Sequence, residues 1–449
     1  MIGLLPWFII LYRLIGKNKT IRAVLLLLAN SLFYVWGGVG AFVFVCCYSA
    51  LIWLFSLILY KYRIKFLFAL FVIISAFPLI FIKYTEFVIT NINSIFGFNI
   101  TSRSLVVPIG ISFFTFEAIS LIADIYKKET DKKLNAINVF LYLTFFPTVT
   151  SGPIIRYNEF EEGLLADSGS VNYTDSIERI IIGLCKKVLI ADKIAALADY
   201  YFDGVAAGNS FSVLGLWIGS MAYTLQLYFD FSGYSDMAIG IGQLLGFDIR
   251  ENFNRPYQAS SISDFWKRWH ISLTQWFRDY VYIPLGGNRC SVPRHIINML
   301  IVWLLTGIWH GADWSFIIWG LGYFVLLLGE KYIPFMKKIG NTVIGHFYAL
   351  FFINLLWIPF RANNINTAAQ YLKGMFGNGA GIIEEKAVRF LPFFIIAILL
   401  CFPLEKAFEK FSNKKWFMLL KGLAFIIIFF FALCASINSS YAPYIYGNF

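Results

Sequence analysis

Charge is scarce in this 449-residue chain: only 14% of its residues are Asp, Glu, Lys or Arg. A soluble domain carries about 25%. Hydrophobic residues make up 59% of the chain, so it is read as an integral membrane protein and not as a soluble domain. Metal-binding groups are also few. The four His (His270, His295, His310 and His346) form no H-E-x-x-H or similar pair, and metal catalysis finds no support. The six Cys show no metal-ligand spacing, and Cys46 and Cys47 are merely adjacent. Most lie in apolar runs, where Cys acts as a small hydrophobe. Neither a structural disulfide nor a zinc site is expected. The in–out alternation of an outer-membrane barrel is missing, as are tandem repeats and low-complexity segments. The first apolar run has no small-residue cleavage site after it. Arg13, Lys17, Lys19 and Arg22 follow instead, so it reads as a first membrane helix and not as a cleaved signal.

Long apolar runs are abundant. A helical crossing of a bilayer needs roughly 20 mostly apolar residues. Candidates are Val24–Trp36, Phe42–Leu59, Phe66–Ile82, Leu105–Ile125, Ile137–Val149, Leu214–Phe229, Ile296–Leu328, Val343–Phe360, Phe390–Leu404 and Phe417–Ile437. Ile296–Leu328 has room for two passes, or for one pass and a re-entrant piece. With Gly3–Ile15 and Ile177–Tyr201 the expectation is an all-α polytopic protein of about 11 helices, in one membrane domain spanning residues 1–449.

The net charge is +11, from 37 basic and 26 acidic residues. In a soluble chain this would raise nucleic-acid binding; here the basic residues sit in short loops, and topology accounts for them. Arg13 to Arg22, Lys61 to Lys65 and Lys127 to Lys133 are separated by even numbers of expected crossings, which puts all three in the cytoplasm. They also suit contact with anionic lipid. Arg250 to Arg294 is placed at the same surface, and the acidic stretch Glu159 to Asp175 on the opposite one.

Polar residues in membrane spans are costly and usually functional. Asp230 and Asp236 stand six apart, a poor spacing for one helical face, with Ser and Gly between them. They are expected to cap a broken or re-entrant helix. Pro256 stops any helix, and Ser263 and Asp264 offer an N-cap before Phe265-Trp266-Lys267-Arg268-Trp269-His270. The mixture of aromatic and basic residues through Arg278 fits two readings equally. One is an amphipathic helix on the bilayer surface; the other is a binding surface for an anionic, phosphate-bearing donor such as coenzyme A. His310 lies inside the longest apolar run. Gly307 and Gly311 beside it admit either a neighbouring helix or a ligand at close range. Imidazole is the side chain best suited to proton transfer near neutral pH. Asp313, three residues on, either orients that ring or caps the next helix. His295 and His346 read as structural.

These residues resemble a known family. Asp230–Gly240 (DFSGYSDMAIG), Asn252–Gly287 (NFNRPYQ…DFWKRWHISLTQWFRDYVYIPLGG) and Trp309–Trp314 (WHGADW) are similar to the membrane-bound O-acyltransferases. The nearer likeness is to the bacterial branch of alginate and peptidoglycan O-acetyltransferases and the D-alanyl transfer protein of teichoic acid. Pro108–Tyr126 and Phe145–Tyr157 fit that branch too. The likeness is strong over about residues 100–330.

The resemblance implies helices around a thin core with a tunnel, plus re-entrant and interfacial helices. It implies a catalytic His310 and a second family histidine, His270, nearer the cytoplasmic side. Trp266, Lys267, Arg268, Trp269 and Arg278 would border the donor entrance. Acetyl-coenzyme A is the expected donor substrate, with no tightly bound cofactor and no metal. The acetyl group would cross the bacterial cytoplasmic (inner) membrane to an extracytoplasmic polysaccharide: peptidoglycan, an alginate-like polymer or another exopolysaccharide. A secreted SGNH-type O-acetyltransferase would be the partner. The ending Tyr444-Ile445-Tyr446-Gly447-Asn448-Phe449 is similar to an aromatic-x-Tyr-x-x-Phe ending of this branch, with Tyr444 where Phe is usual, and suggests Tyr446 as an acyl carrier. Two alternatives are a lipid or protein acyltransferase with a longer donor, and a transporter, which would show inverted halves.

Overall fold

A computed structural model describes residues 5–438 apart from 16–17, 102–106, 167–170, 363, 378–380, 382, 405–408 and 412–413. The tail that carries Tyr444, Tyr446 and Phe449 lies outside the described residues. Among those described, the chain is helical throughout, with no strand.

The N-terminal part runs α1 (Leu5–Ile15), α2 (Lys19–Trp36), α3 (Val39–Tyr62), α4 (Lys65–Phe96), α5 (Ile111–Lys127), α6 (Ala136–Leu143) and α7 (Tyr157–Leu165). The middle holds α8 (Tyr173–Cys185), α9 (Asp192–Ala206) and α10 (Val213–Leu245), then the short α11 (Ile262–Trp266) and α12 (Ile271–Phe277). The remainder is α13 (Val292–His310), α14 (Trp314–Tyr332), α15 (Pro334–Ile339), α16 (Val343–Arg361), α17 (Ile365–Met375), α18 (Glu385–Leu400) and α19 (Lys415–Asn438). Six of these, α2, α3, α4, α13, α16 and α19, are long and apolar enough to cross a membrane. The polytopic all-α class expected from composition is therefore the one observed.

Two aromatic-rich cores stand side by side. One gathers Tyr34, Tyr48, Phe114, Leu121, Tyr142 and Phe160 from the N-terminal helices. The other gathers Tyr201, Tyr223, Trp319, Tyr323, Trp357 and Tyr371. Segment 262–277 bridges them: Phe265 and Trp266 of α11 pack into the second core, while Leu273 and Trp276 of α12 pack into the first. Consequently this segment is not an amphipathic helix on the surface, since Trp266, Trp269 and Trp276 are all buried.

Ile137–Val149 does not cross. Its helix, α6, ends after eight residues at Leu143, too short for a bilayer, and the chain folds back through turns at 145–152. Asn30 helps to hold this re-entrant piece. Its amide donates to Thr144 Oγ1 (3.0 Å), and its carbonyl accepts from the Phe146 N–H (3.2 Å). The return reverses the expected side of the acidic stretch. Glu161 pairs with Lys132, Glu159 with Arg250, and Arg156 with Asp279 at 3.3 Å. Arg22 donates to the carbonyls of Leu164 (3.2 Å) and Ala166 (2.6 Å). Glu159–Glu162 thus shares one face with the basic clusters, and one crossing fewer is the physical reason.

The second departure is α10. Asp230 and Asp236 do not cap a broken helix; they lie inside one continuous helix of 33 residues. Each is neutralised from the side. Lys187 Nζ lies 2.5 Å from Asp230 Oδ1 and 2.9 Å from Asp192 Oδ1. Asp236 takes Arg179 (3.1 Å) and Lys186 (2.7 Å). Lys186–Ala191 is a π-helical turn between α8 and α9, a local widening often found at functional positions. It presents consecutive lysines to both aspartates. Burying a carboxylate without such partners is prohibitively costly.

Candidate active site

Ile296–Leu328 resolves into the hairpin of α13 and α14, and Gly307 lies at its close approach. A Cβ on Gly307 would stand 2.5 Å from the Phe316 carbonyl oxygen and 3.5 Å from Gly320 Cα. A Cβ on Gly320 would stand 2.4 Å from the Trp303 carbonyl oxygen. Gly307 therefore serves helix packing. Gly311 faces the Phe316 ring instead. Asp313 caps α14, its Oδ1 accepting from the Ser315 N–H at 2.7 Å, which answers the choice between capping and orienting in favour of the cap.

His310 is the last residue of α13 and is 2% exposed. It is about 27 Å along the helix from Val292, at 1.5 Å per residue. Its ring lies against Trp309 (4.7 Å between centroids), Trp319 (4.8 Å) and Phe360 (5.0 Å). His270 approaches the same group, 6.2 Å from Trp309. Chain positions 40 apart are thereby brought against one indole.

The backbone that presents His270 is unusual. His270 has φ of 42°, a left-handed conformation rare for a residue with a Cβ and often found at functional sites. Asn252 holds it there. Asn252 Oδ1 lies 3.3 Å from His270 Nδ1 and accepts from Ser272 N–H (3.1 Å) and Oγ–H (2.9 Å). The Ile271 N–H donates to the Asn252 carbonyl at 3.0 Å, and Ser272 Oγ accepts from Ile154 N–H at 3.0 Å. Three of the sequence blocks singled out above, around 154, 252 and 270, thus meet at Ser272.

A cavity of about 420 Å³ opens nearby, and neither His310 nor His270 is among the residues that line it. Trp266, Lys267 and Arg278 line it, together with Trp303 and Thr306 of α13. Thr306 is four residues, one helical turn, before His310. Arg268 and Trp269 do not line it: Arg268 pairs with Asp264 at 2.9 Å, and Trp269 is buried among Phe253, Phe265 and Trp357. The helix cap of this segment is Ser261, whose Oγ accepts from Asp264 N–H at 3.0 Å, two residues earlier than expected. His295 and His346 have ordinary partners: the hydroxyls of Tyr282 (2.9 Å) and Tyr332 (2.7 Å) for the first, the Ala259 carbonyl (3.1 Å) for the second.

An aromatic chain links the cavity wall to His310. Trp266 meets Trp303 at 4.8 Å and Tyr323 at 4.9 Å; Tyr323 meets Trp319 at 5.2 Å. Five polar groups in or beside this chain are buried without a hydrogen-bond partner among the described residues: Nε1 of Trp266, Trp309 and Trp319, Oγ of Ser315 and OH of Tyr323. Buried polar groups are normally paired. All five are able to donate; Trp266 alone among them lines the cavity, and the others lie along the aromatic chain between it and His310.

The comparisons with known proteins now bear on this geometry. The model of MBOAT, the membrane-bound O-acyltransferase family, matches residues 25–366. The chain belongs to this family. It is an O-acyltransferase. The probable alginate O-acetylase AlgI of Pseudomonas aeruginosa is 37% identical over 398 residues, covering 85% of this chain and 74% of the relative. The peptidoglycan O-acetyltransferase of Helicobacter pylori is 38% identical over 346 residues, covering 69% and 65%. The teichoic acid D-alanyltransferase of Bacillus subtilis is 33% identical over 238 residues, covering 50% and 59%. The branch read from the motifs is the one these O-acyltransferases represent.

Residues outside the motifs also meet the turn that carries His310. Lys83 and Tyr84 of α4 reach the end of α13, and Asn91 Oδ1 accepts from Trp314 Nε1–H at 2.9 Å. The readable signal for Lys83 was its position: a lone charge just past the apolar run Phe66–Ile82, where lipid tolerates it poorly.

Proposed function

We propose that this O-acyltransferase moves an acetyl group from acetyl-coenzyme A to a hydroxyl, for O-acetylation of a polysaccharide outside the cytoplasmic membrane. The whole chain, residues 1–449, acts as one membrane domain. The observation that carries the reading is the buried His310, one helical turn beyond Thr306 on the wall of a cavity that also carries Lys267 and Arg278. Cations at that wall suit the phosphates of coenzyme A. The relatives named for acetylation of alginate and of peptidoglycan support the acetyl group and a polysaccharide acceptor.

The chemistry needs a base and a donor to the thioester oxygen. The neutral imidazole of His310 takes the proton of the attacking hydroxyl. The new C–O bond forms at the thioester carbonyl carbon, the C–S bond breaks, and the proton passes to the departing thiolate, leaving free coenzyme A. Unpaired N–H and O–H groups around His310 stabilise the oxyanion between these steps. His270, held by Asn252 beside Trp309, acts on the donor side of His310. The attacking hydroxyl is that of Tyr446 as carrier, whose phenol has a pKa near 10 and needs such a base. An extracytoplasmic SGNH-type partner then takes the acetyl group to sugar hydroxyls.

The test incubates full-length protein in nanodiscs with radiolabelled acetyl-coenzyme A. Label is expected on the C-terminal peptide, lost in His310→Ala and in Tyr446→Phe. Normal labelling in His310→Ala removes the imidazole from the mechanism, and normal acetyl yield in Tyr446→Phe reduces the tail to an anchor.

A further inference from the structure

Lysine within an apolar membrane helix is expensive, and its presence asks for a named partner. Lys83 stands in α4, 18 residues from the start of that helix at Lys65. Its Nζ donates to the carbonyl oxygen of Trp309 at 2.7 Å. The neighbouring Tyr84 hydroxyl donates to the carbonyl of Ile308 at 2.5 Å. Both acceptors belong to the final turn of α13, immediately before His310. The last four carbonyls of a helix have no intrahelical donor. In lipid an unsatisfied carbonyl costs several kcal/mol, and a cation at a helix C-terminus is favourable.

A plain cap would serve that need anywhere on the helix end. This one acts on the peptide next to the imidazole. The Gly311 N–H closes on Ile308 at 3.2 Å and Gly311 is extended (φ −174°), so the chain leaves the helix directly after His310. Few backbone bonds therefore fix the direction of the imidazole. Asn91 ties α4 to Trp314, the first residue of α14, at 2.9 Å. Helix α4 thus makes three contacts around His310, and the one from Lys83 falls on the residue next to it, Trp309.

We propose that Lys83 is a positioning residue. By holding the Trp309 carbonyl, it fixes the direction in which α13 presents His310 to the reacting thioester. The inference rests on the role given to His310 above. It deepens that reading, because it assigns a residue from outside the motif blocks to the same site. A displacement of about 1 Å at a reacting group costs about 10²-fold in rate. Loss of the Lys83 contact is expected to lower kcat by that order while leaving KM for acetyl-coenzyme A within about twofold, because no residue of α4 lines the cavity that carries Lys267 and Arg278.

The experiment compares Lys83→Met, Lys83→Arg and Tyr84→Phe with the unaltered full-length protein in nanodiscs. Coenzyme A release is measured in a single turnover, with the Tyr446 hydroxyl as acceptor, over a series of acetyl-coenzyme A concentrations that gives kcat and KM, and hydrogen–deuterium exchange is followed in the peptide 305–313. Lys83→Met should raise exchange there and lower kcat; Lys83→Arg, which keeps a cationic donor, should recover most of both. Tyr84→Phe should raise exchange at Ile308–Gly311 with a smaller loss of kcat, and it carries the test if Lys83→Met fails to fold. Unchanged exchange, or raised exchange with unchanged kcat, overturns the proposal. So does a loss that appears in KM alone. Full turnover in His310→Ala would instead sink the reading of the site, and the exchange measurement would still decide whether Lys83 holds the turn.

Discussion

Replacing Gly307 by Ala perturbs the contact on which the candidate site is built. The added methyl would stand 2.5 Å from the Phe316 carbonyl oxygen, whereas ordinary contact begins near 3.4 Å. The obstacle is backbone, which has no rotamer to escape into. Helices α13 and α14 must therefore separate by about 0.9 Å at this level. Overpacking of this kind costs about 1–3 kcal/mol. The opening lies three residues before His310, so the imidazole moves with it, and a shift of that size predicts a loss of about 10²-fold in turnover. The assay pairs thermal unfolding in nanodiscs with coenzyme A release. Gly422→Ala is the control: that glycine is also in a membrane helix, α19, but a methyl there meets nothing within 4 Å. Gly307→Ala should lower both melting temperature and turnover, and Gly422→Ala neither. If Gly307→Ala matched the control in both measurements, the close approach of the two helices would be refuted, and the reasoning from packing to chemistry with it.

Asn252→Leu should destabilise the protein by about 1–3 kcal/mol for each Ser272 donor it strands. Asn252→Asp keeps an acceptor and should recover part of that loss, which melting curves of the two variants will read; equal melting points would discount the Asn252 hub. The re-entrant path of α6 is checked by labelling. In a cysteine-free background, Glu162→Cys should react with a membrane-impermeant maleimide from the same side as Lys128→Cys. Reaction from opposite sides would restore a full crossing between them.

The sequence by itself determined that the chain is helical and lies in a membrane, because apolar runs of crossing length and loops of positive charge are properties of neighbouring residues. It also marked His310 and His270, since a block as long as W-K-R-W-H-I-S-L…R-D-Y-V-Y-I-P-L-G-G and a histidine in an apolar run are visible without knowing what surrounds them. Tertiary structure alone decided where a helix turns back and what each buried polar group meets. Ile137–Val149 has the apolar character of a crossing, yet Asn30, from a helix more than 100 residues earlier, holds it where the chain turns back. Asp230 and Asp236 read as helix breakers locally, yet the π-helical turn of residues 186–191 supplies cations that let α10 run on. Lys83 and the Trp309 carbonyl are 226 residues apart. A helix is made by bonds four residues long, so its presence is written locally. The partner of a buried charge is selected by the whole packed core, and no stretch of sequence around the charge contains it.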